Sequence, residues 1–377
     1  MNVSIYTSKE DLLTIKDDWT KLNQSINTHS PFLSWEWINE WWSTYETRLP
    51  NSSSLQIICI RDDKDQLFCI MPFFSTKISS INGKLNILKL AGTEFESSDY
   101  LDILIADKYS IEFIFDLFDL PEIKLLFNNF DKIVLNNLLQ DSALWKIQNE
   151  FIQKRNYPTF SKRTSICPYM DLPESEEELL KNLSKNMKSG LRRTRNKINK
   201  DPDLDIHRIT EANEIDTTIQ ALFDLHDQRF TDQEKDTKFV FEKRGRFHQN
   251  IAKTFLGLGQ LAFYTAKFKD EIIGCLYCYV FNNRVMYMQA GFNPDYAKYA
   301  LGNQLILKAI TDGIEIKNIE FDFMRGNESY KTKWTASKRY LYQLEFGLSF
   351  KGKMDVHFNR LLFNSKRIIK KLIRKEE

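Results

Sequence analysis

Along this chain, short runs with apolar residues at every second position alternate with longer runs in which they recur near every third or fourth, the pattern of strands interleaved with helices. "LQIICIRDDKDQLFCIMPFF", Leu55 to Phe74, reads as strand, charged turn and strand, and "LAFYTAKFKDEIIGCLYCYV", Leu261 to Val280, aligns with it without a gap. Each predicts an antiparallel hairpin. A strand ending in Ala-Gly follows each hairpin, "LNILKLAG" through Gly92 and "RVMYMQAG" through Gly291. A helix-length segment and a last strand come next, "DKIVLNN" at 131–137 and "KNIEFDF" at 317–323. The order strand, strand, strand, helix, strand thus occurs twice and predicts two copies of one α/β (α+β) module, each a mixed sheet flanked by helices.

Helical material precedes each hairpin. "KEDLLTIKDDWTKLNQS" carries Leu12, Leu13, Ile15, Trp19 and Leu22 near helical spacing, and "SPFLSWEWINEWWSTY" opens with Ser30 as a cap and Pro31 in the first turn. Its four tryptophans predict a core rather than a ligand box. In the second copy "SEEELLKNLSKNMKSGLRRTRNKINK" starts acidic and ends basic, which suits the helix dipole. "EIDTTIQALFDLHDQRF" gives another helix. Three prolines in "NYPTFSKRTSICPYMDLPES", 156–175, predict a linker and a boundary near residue 160.

The length of 377 residues fits two cores. With 53 basic and 51 acidic side chains the net charge is +2, so no global field steers the chain toward nucleic acid or an anionic membrane. Five cysteines in apolar strand-like runs, with no signal pattern at "MNVSIYTSKEDL", read as reduced core thiols of a cytoplasmic protein. Cys275 and Cys278 have a metal or redox spacing, but "GCLYCYV" alternates as a strand and the histidines are scattered, so no metal site is expected. In the tail, "FNRLLFNSKRIIKKLIRKEE", apolar residues fall near one helical face with cations between them. It reads either as a helix docked on its own domain or as a peripheral membrane contact.

Four features carry chemistry. Lys185, Lys188, Arg192, Arg193, Arg195, Lys197 and Lys200 form a basic helix, either a solvated face or a site for a phosphorylated substrate. No companion nucleic-acid motif accompanies it. In "GFNPDYAKYALGNQLILKAI", 291–310, a strand runs into a helix starting near Leu301 and Gly302, whose first amides suit a diphosphate. His226 with Arg229 sits on a helix, as a base or as filler. "FDFMRGNESYKTKW", 321–334, places Asp322, Glu328, Lys331 and Trp334 at and beyond a strand end, where α/β sheets bind ligands.

These pieces, in this order and spacing, resemble the CelD-type (cellulose-biosynthesis-linked) acetyltransferases, a branch of the GNAT superfamily related to the Fem aminoacyl transferases. The resemblance rests on "PFLSWEWINEWW", "KNMKSGLRRTRNKI", "LHDQRF", the hairpin and strand through "QAGFNPDY", "YALGNQL" and "NESYKTKW", and it spans nearly the whole chain. It implies tandem GNAT-like modules, 1–160 degenerate and 161–377 catalytic. The implied reaction passes an acyl group, in the first instance acetyl, from acyl-CoA to an amine or hydroxyl of a sugar, nucleotide-sugar or cell-envelope polysaccharide precursor.

By the same resemblance Leu301, Gly302 and Asn303 lie against the diphosphate of coenzyme A, although the usual spaced glycines are missing. Lys331 is expected to stabilise the developing oxyanion or to hold an anionic acceptor. Asp322, Glu328 or His226 would take the acceptor's proton. Arg192, Arg193, Arg229 and Trp334 would hold a small-molecule acceptor, phosphorylated in one version of the reading. Two alternatives remain open, a Fem-like transferase using aminoacyl-tRNA and a non-catalytic scaffold on a decayed GNAT pair.

Overall fold

The computed structural model describes residues 1–376 apart from 27, 29, 82, 97, 149–156 and 228–236, and omits the side chains of 111, 227, 237–241 and 368–376. The chain divides into two units, Met1–Ser165 with Tyr340–Glu377, and Ile166–Arg339.

In the first unit β1 (Asn2–Tyr6), β2 (Ser54–Arg61), β3 (Leu67–Ser80) and β4 (Gly83–Leu90) pair antiparallel in sequence order. β5 (Leu104–Ile105) adds to β3. β4 runs parallel to β6 (Lys132–Leu139), which pairs antiparallel with β13 (Lys338–Gly347). Between β1 and β2 come α1 (Lys9–Thr14), α2 (Lys16–Ser25) and α3 (Trp35–Tyr45); between β4 and β6 lie α4 (Ile111–Leu117) and α5 (Pro121–Phe127).

The second unit repeats this plan. β8 (Leu204–Arg208), β9 (Leu261–Phe268), β10 (Glu271–Phe281) and β11 (Arg284–Phe292) pair antiparallel in sequence order. β11 runs parallel to β12 (Glu320–Asp322), and β12 pairs antiparallel with the end of β7 (Thr159–Asp171) at Tyr169–Asp171. Its helices are α6 (Glu176–Asn182), α7 (Lys185–Asn199), α8 (Ile215–Asp227), α9 (Thr237–Gly257) and α10 (Leu301–Glu315).

Both expected hairpins form, with Leu55 opposite Phe74 and Leu261 opposite Tyr279. The mixed α/β architecture holds. Two expectations do not. Segment 156–175 was expected to be a linker, but most of it is the strand β7; Pro158 and Pro173 lie just outside, and Pro168 accepts a bond from the Phe323 amide through its carbonyl. The tail was expected in the second module, whereas β13 pairs with β6 from Leu341 to Gly347 and lies in the first unit. Each unit therefore takes its sixth strand from chain outside the repeated order, a nonlocal choice that periodicity does not report.

The faces of the second sheet separate cleanly. Ala262, Tyr264, Ala266, Leu276, Cys278 and Val285 face α7 and α10 in one buried cluster with Leu191, Leu305 and Ile310. Phe263, Tyr277 and Tyr279 carry the other face, in ring contact with one another and with His248 and Phe255 of α9. Burying a Leu, Ile or Phe of this kind stabilises by roughly 1.5–3 kcal/mol, so the two helix layers are held mainly by apolar area.

Candidate active site

β11 and β12 are in register only over Arg284–Met286 and Glu320–Asp322, and beyond that the parallel strands part. A bulge in β11 prepares the opening. Tyr277 of β10 lies opposite Gln289 and Cys278 opposite Tyr287, so Met288 is an extra residue. One inserted residue reverses the alternation, which puts Tyr287, Ala290 and Phe292 on one side and turns Gly291 to the other. There, a Cβ on Gly291 would stand 2.9 Å from the Leu225 Cβ and 3.0 Å from the Leu222 carbonyl oxygen, so only glycine lets α8 approach this closely.

On the side of Tyr287 lies a cavity of about 290 Å³, walled by Tyr287, Ala290, Phe292, Tyr296, Ile306 and Tyr330, with Leu301, Gly302 and Asn303 at its α10 end. The Tyr330 hydroxyl donates to the Tyr287 hydroxyl at 3.0 Å. Burial first, and then Tyr330, push the Tyr287 phenol well above its ordinary pKa. It is held neutral, with a proton to give. Among the described residues no carboxylate or imidazole lines this cavity.

α10 starts from Ala300, which takes left-handed backbone at φ 48° and ψ 48°, and no side chain caps the helix. Gly302 does not face open space: a Cβ there would sit 3.1 Å from the Phe292 ring, so the glycine lets that ring close the cavity wall. Gln304 donates to the Leu191 carbonyl at 3.0 Å and to the Thr194 hydroxyl at 2.6 Å, tying α10 to α7. Where these helices meet is a second cavity of about 390 Å³, lined by Ser184, Asn186, Gly190 and Arg193 of the α7 segment, by Lys333, and by the same Ala300 and Asn303. Its charged walls, Arg193 and Lys333, are both cations.

α7 buries Met187, Leu191, Thr194 and Ile198 at helical spacing, which sends its basic residues outward. Arg195 pairs with Glu176 at 2.6 Å and Arg192 is exposed, lining neither cavity. Leu301, Gly302, Asn303 and Arg193 are thus brought together, with Arg193 beside the α10 N-terminus rather than at a separate acceptor clamp.

The residues expected to do the chemistry stand elsewhere. The Lys331 side chain is 3% exposed, and its ammonium donates to the Arg325 carbonyl at 2.7 Å and pairs with Glu328 at 3.1 Å. It reaches the cavity indirectly, lying 5.7 Å from the centre of the Tyr287 ring. Gly326, at φ 135°, leaves room for this clasp, since a Cβ would strike both the Glu328 carboxylate and the Lys331 ammonium. Asp322 is buried, accepts from the Met324 amide at 2.7 Å and faces Arg339 at 3.6 Å, while Arg339 also pairs with Glu320 and stacks on Tyr169. That carboxylate fixes a strand end.

Trp334 is packed in the main core cluster, not in a cavity wall. His226 is half-buried at the end of α8, and its backbone nitrogen lies on the Gly291 side of β11, away from Tyr287. Arg229 lies outside the described residues. Tyr287, Tyr330, Phe292 and Lys333 were not singled out by their sequence context, although Tyr330 and Lys333 flank Lys331 and Thr332 in "SYKTKW".

Residues 185–332 match the family model described as an acetyltransferase (GNAT) domain. The match falls within the second unit. The matched span runs from the start of α7 to the loop holding Tyr330 and Lys331, and takes in all the residues that line the first cavity and all but Ser184 and Lys333 of those that line the second. No curated protein matches the sequence. Among solved structures, FemX shares 10% identity, with a TM-score of 0.58 over 92% of this chain and 98% of that one. A conserved protein of unknown function from Bacteroides thetaiotaomicron shares 11% identity, with a TM-score of 0.56 over 92% of this chain and 100% of that one. At these identities the likeness is one of fold.

Proposed function

We propose that the GNAT domain is an acyl-CoA-dependent acyltransferase that moves an acetyl group to an amine of a sugar, nucleotide-sugar or cell-envelope polysaccharide precursor. The observation that carries this reading is the tyrosine-walled cavity where β11 and β12 part, which shares Ala300 and Asn303 as lining with a cationic cavity at the α10 N-terminus. The resemblance to CelD-type enzymes supports the acceptor class.

Acyl-CoA would supply a thioester carbonyl for the acceptor to attack, with a C–N bond forming as the C–S bond breaks. The Asn303 and Gln304 amides donate to the Ala300 carbonyl, so the Leu301 and Gly302 amides at the start of α10, with Arg193 and Lys333, would offer a diphosphate both dipole and charge. Phe292 and Tyr296 give the thiol arm an apolar wall and exclude water. Tyr287, kept protonated, can give its proton to the departing sulfur, and the proton that the acylated nitrogen sheds balances the one it regains through Tyr330. Because the cavity walls provide no strong base, an amine that arrives neutral suits them better than a hydroxyl that must first lose its proton.

The test is calorimetric titration of the full chain with acetyl-CoA. Binding is expected, weakened at least about tenfold in Arg193→Glu/Lys333→Glu, because charge-assisted bonds to phosphate are lost and replaced by repulsion. Absence of binding by the wild-type chain, or tight binding of aminoacyl-tRNA in its place, would overturn the donor assignment.

A further inference from the structure

Helix α11 (Phe350–Glu376) carries two different faces. One is docked on the first unit. A Cβ on Gly352 would fall 1.7 Å from the Asp131 carbonyl oxygen, so glycine there allows the closest approach. Buried Asp355 pairs with Lys132 at 2.7 Å, Val356 is fully buried, and Asn359 donates to Glu345 at 3.0 Å. The Phe363 ring meets Phe160 at 5.4 Å. Positions 352, 356, 359 and 363 follow one another at three- and four-residue steps and, with the adjoining 355, define the docked side.

The main apolar stripe of the helix is on another side. Leu361 is 64% exposed and Leu362 43% exposed. At 100° per residue, Phe350, 79% exposed, and Met354, 47% exposed, fall on the same arc as Leu361, while Arg360 and Arg367 occupy the opposite arc with Lys366 at its border, and the sequence beyond, "IIKKLIRK", goes on mixing apolar and basic residues. Among the described residues this stripe is exposed rather than buried by the fold. No helix among the described residues is long and apolar enough to cross a membrane, so the stripe would not be a span.

We propose that α11 is a surface-binding helix that lies in the headgroup layer of an anionic bilayer, its apolar arc among the acyl chains and its cations against lipid phosphates. Charge complementarity selects this occupant. A second copy docked stripe to stripe would bring the border cations of both helices together, and a nucleic acid would satisfy the cations but leave the leucines and isoleucines in water. A lipid surface satisfies both halves of the pattern.

The experiment is flotation of the full chain with vesicles of phosphatidylcholine alone, and of phosphatidylcholine with an equal part of phosphatidylglycerol. Binding is expected to the mixed vesicles only and to fall with rising salt. Leu361→Glu/Leu362→Glu should lower it at least about tenfold, while the melting temperature stays unchanged because both leucines are exposed. Lys366→Glu/Arg367→Glu should weaken it to a similar degree. The proposal fails if the wild-type chain partitions equally with both vesicles, or if the leucine variant binds as well as wild type. It also fails if sedimentation shows that Leu361→Glu/Leu362→Glu instead dissolves a dimer of this chain.

Discussion

Replacing Lys331 by methionine separates a clasp from a catalyst. Methionine keeps the length and unbranched stem of the buried side chain and deletes its charge. What is lost is the bond to the Arg325 carbonyl at 2.7 Å, a charged-group hydrogen bond of about 1.5–3 kcal/mol. The ion pair with Glu328 adds little, about 0–1 kcal/mol, because that carboxylate is 54% exposed and well screened. Relief from keeping an ammonium in a site 3% exposed works in the opposite direction. With that relief set against the two losses the net is about 1–3 kcal/mol, which for a unit of this size lowers the melting temperature by about 2–12 °C.

Acetyl-CoA affinity and the rate of thiol release from acetyl-CoA should each change less than about tenfold, since the ammonium acts only on the ring of Tyr287, in a contact worth about 0.5–1 kcal/mol. Thermal melts of wild type and Lys331→Met, run beside calorimetry and a thiol-release assay, read all three quantities. If thiol release falls by two orders of magnitude or more while the melting temperature does not move, the ammonium touches the reacting atoms and the clasp reading is wrong.

Tyr287→Phe should reduce thiol release about a hundredfold with acetyl-CoA affinity nearly unchanged, because only the proton donor is removed; equal rates in the two proteins would exclude the phenol. Gly291→Val should destabilise by about 1–3 kcal/mol in a urea titration, since the new side chain meets Leu225 and the Leu222 carbonyl, and an unchanged midpoint would mean that α8 moves freely. In the first unit, burial lifts the Asp102 carboxyl to about 6, against three backbone amides that pull it down. Its folded pKa lies above its unfolded one, so the native chain holds the extra proton and this contribution is full below about pH 4 and lost as pH rises through about 6, a span of roughly 3 kcal/mol. Asp102→Asn should remove that part of the stability-versus-pH slope, and identical slopes in the two proteins would refute it.

The repeated hairpins, the strand before each Ala-Gly and the helix starting at Leu301 were legible because each follows from local period or turn chemistry. The site was legible only in outline. "FDFMRGNESYKTKW" pointed to a strand end that borders the tyrosine-walled cavity, but sequence favoured its ionic residues, and Asp322, Glu328 and Lys331 are engaged in holding the loop while the neutral Tyr330 lines the cavity. The bulge at Met288, which puts Tyr287 and Phe292 on one side, depends on register with β10 and leaves no mark in β11 itself. The origin of β7 and β13 was hidden for a related reason, since strand pairing across long separations is set by partners, and Pro158, Pro168 and Pro173 suggested a break.

The same plan explains why one unit has a cavity at its parted strands and the other has structure there. In the first unit β4 and β6 pair in parallel only over Ile87–Lys89 and Lys132–Val134, as short a contact as in the second. Beyond it the free edge of β6 is used: Leu101 donates to the Asn137 carbonyl at 3.2 Å, and the Asn137 side chain donates to the Ser98 carbonyl at 2.8 Å. The tryptophan helix α3 holds that segment in place, with Trp37 donating to the Ser98 hydroxyl at 3.0 Å and Trp41 to the Glu94 carbonyl at 2.7 Å. Trp19, Trp37 and Trp41 are fully buried, so these aromatic rings form a packed wall around chain that fills the opening. A thioester entering there would have to displace several buried hydrogen bonds, each costing about 1–3 kcal/mol if left unmade. In the second unit no tryptophan helix precedes the hairpin, and the equivalent space is walled by Tyr287, Ala290 and Tyr330 instead. The difference between the two units at this point therefore lies in a loop that occupies the strand gap of the first, and Trp37 and Trp41 of "SWEWINEWW" hold it there.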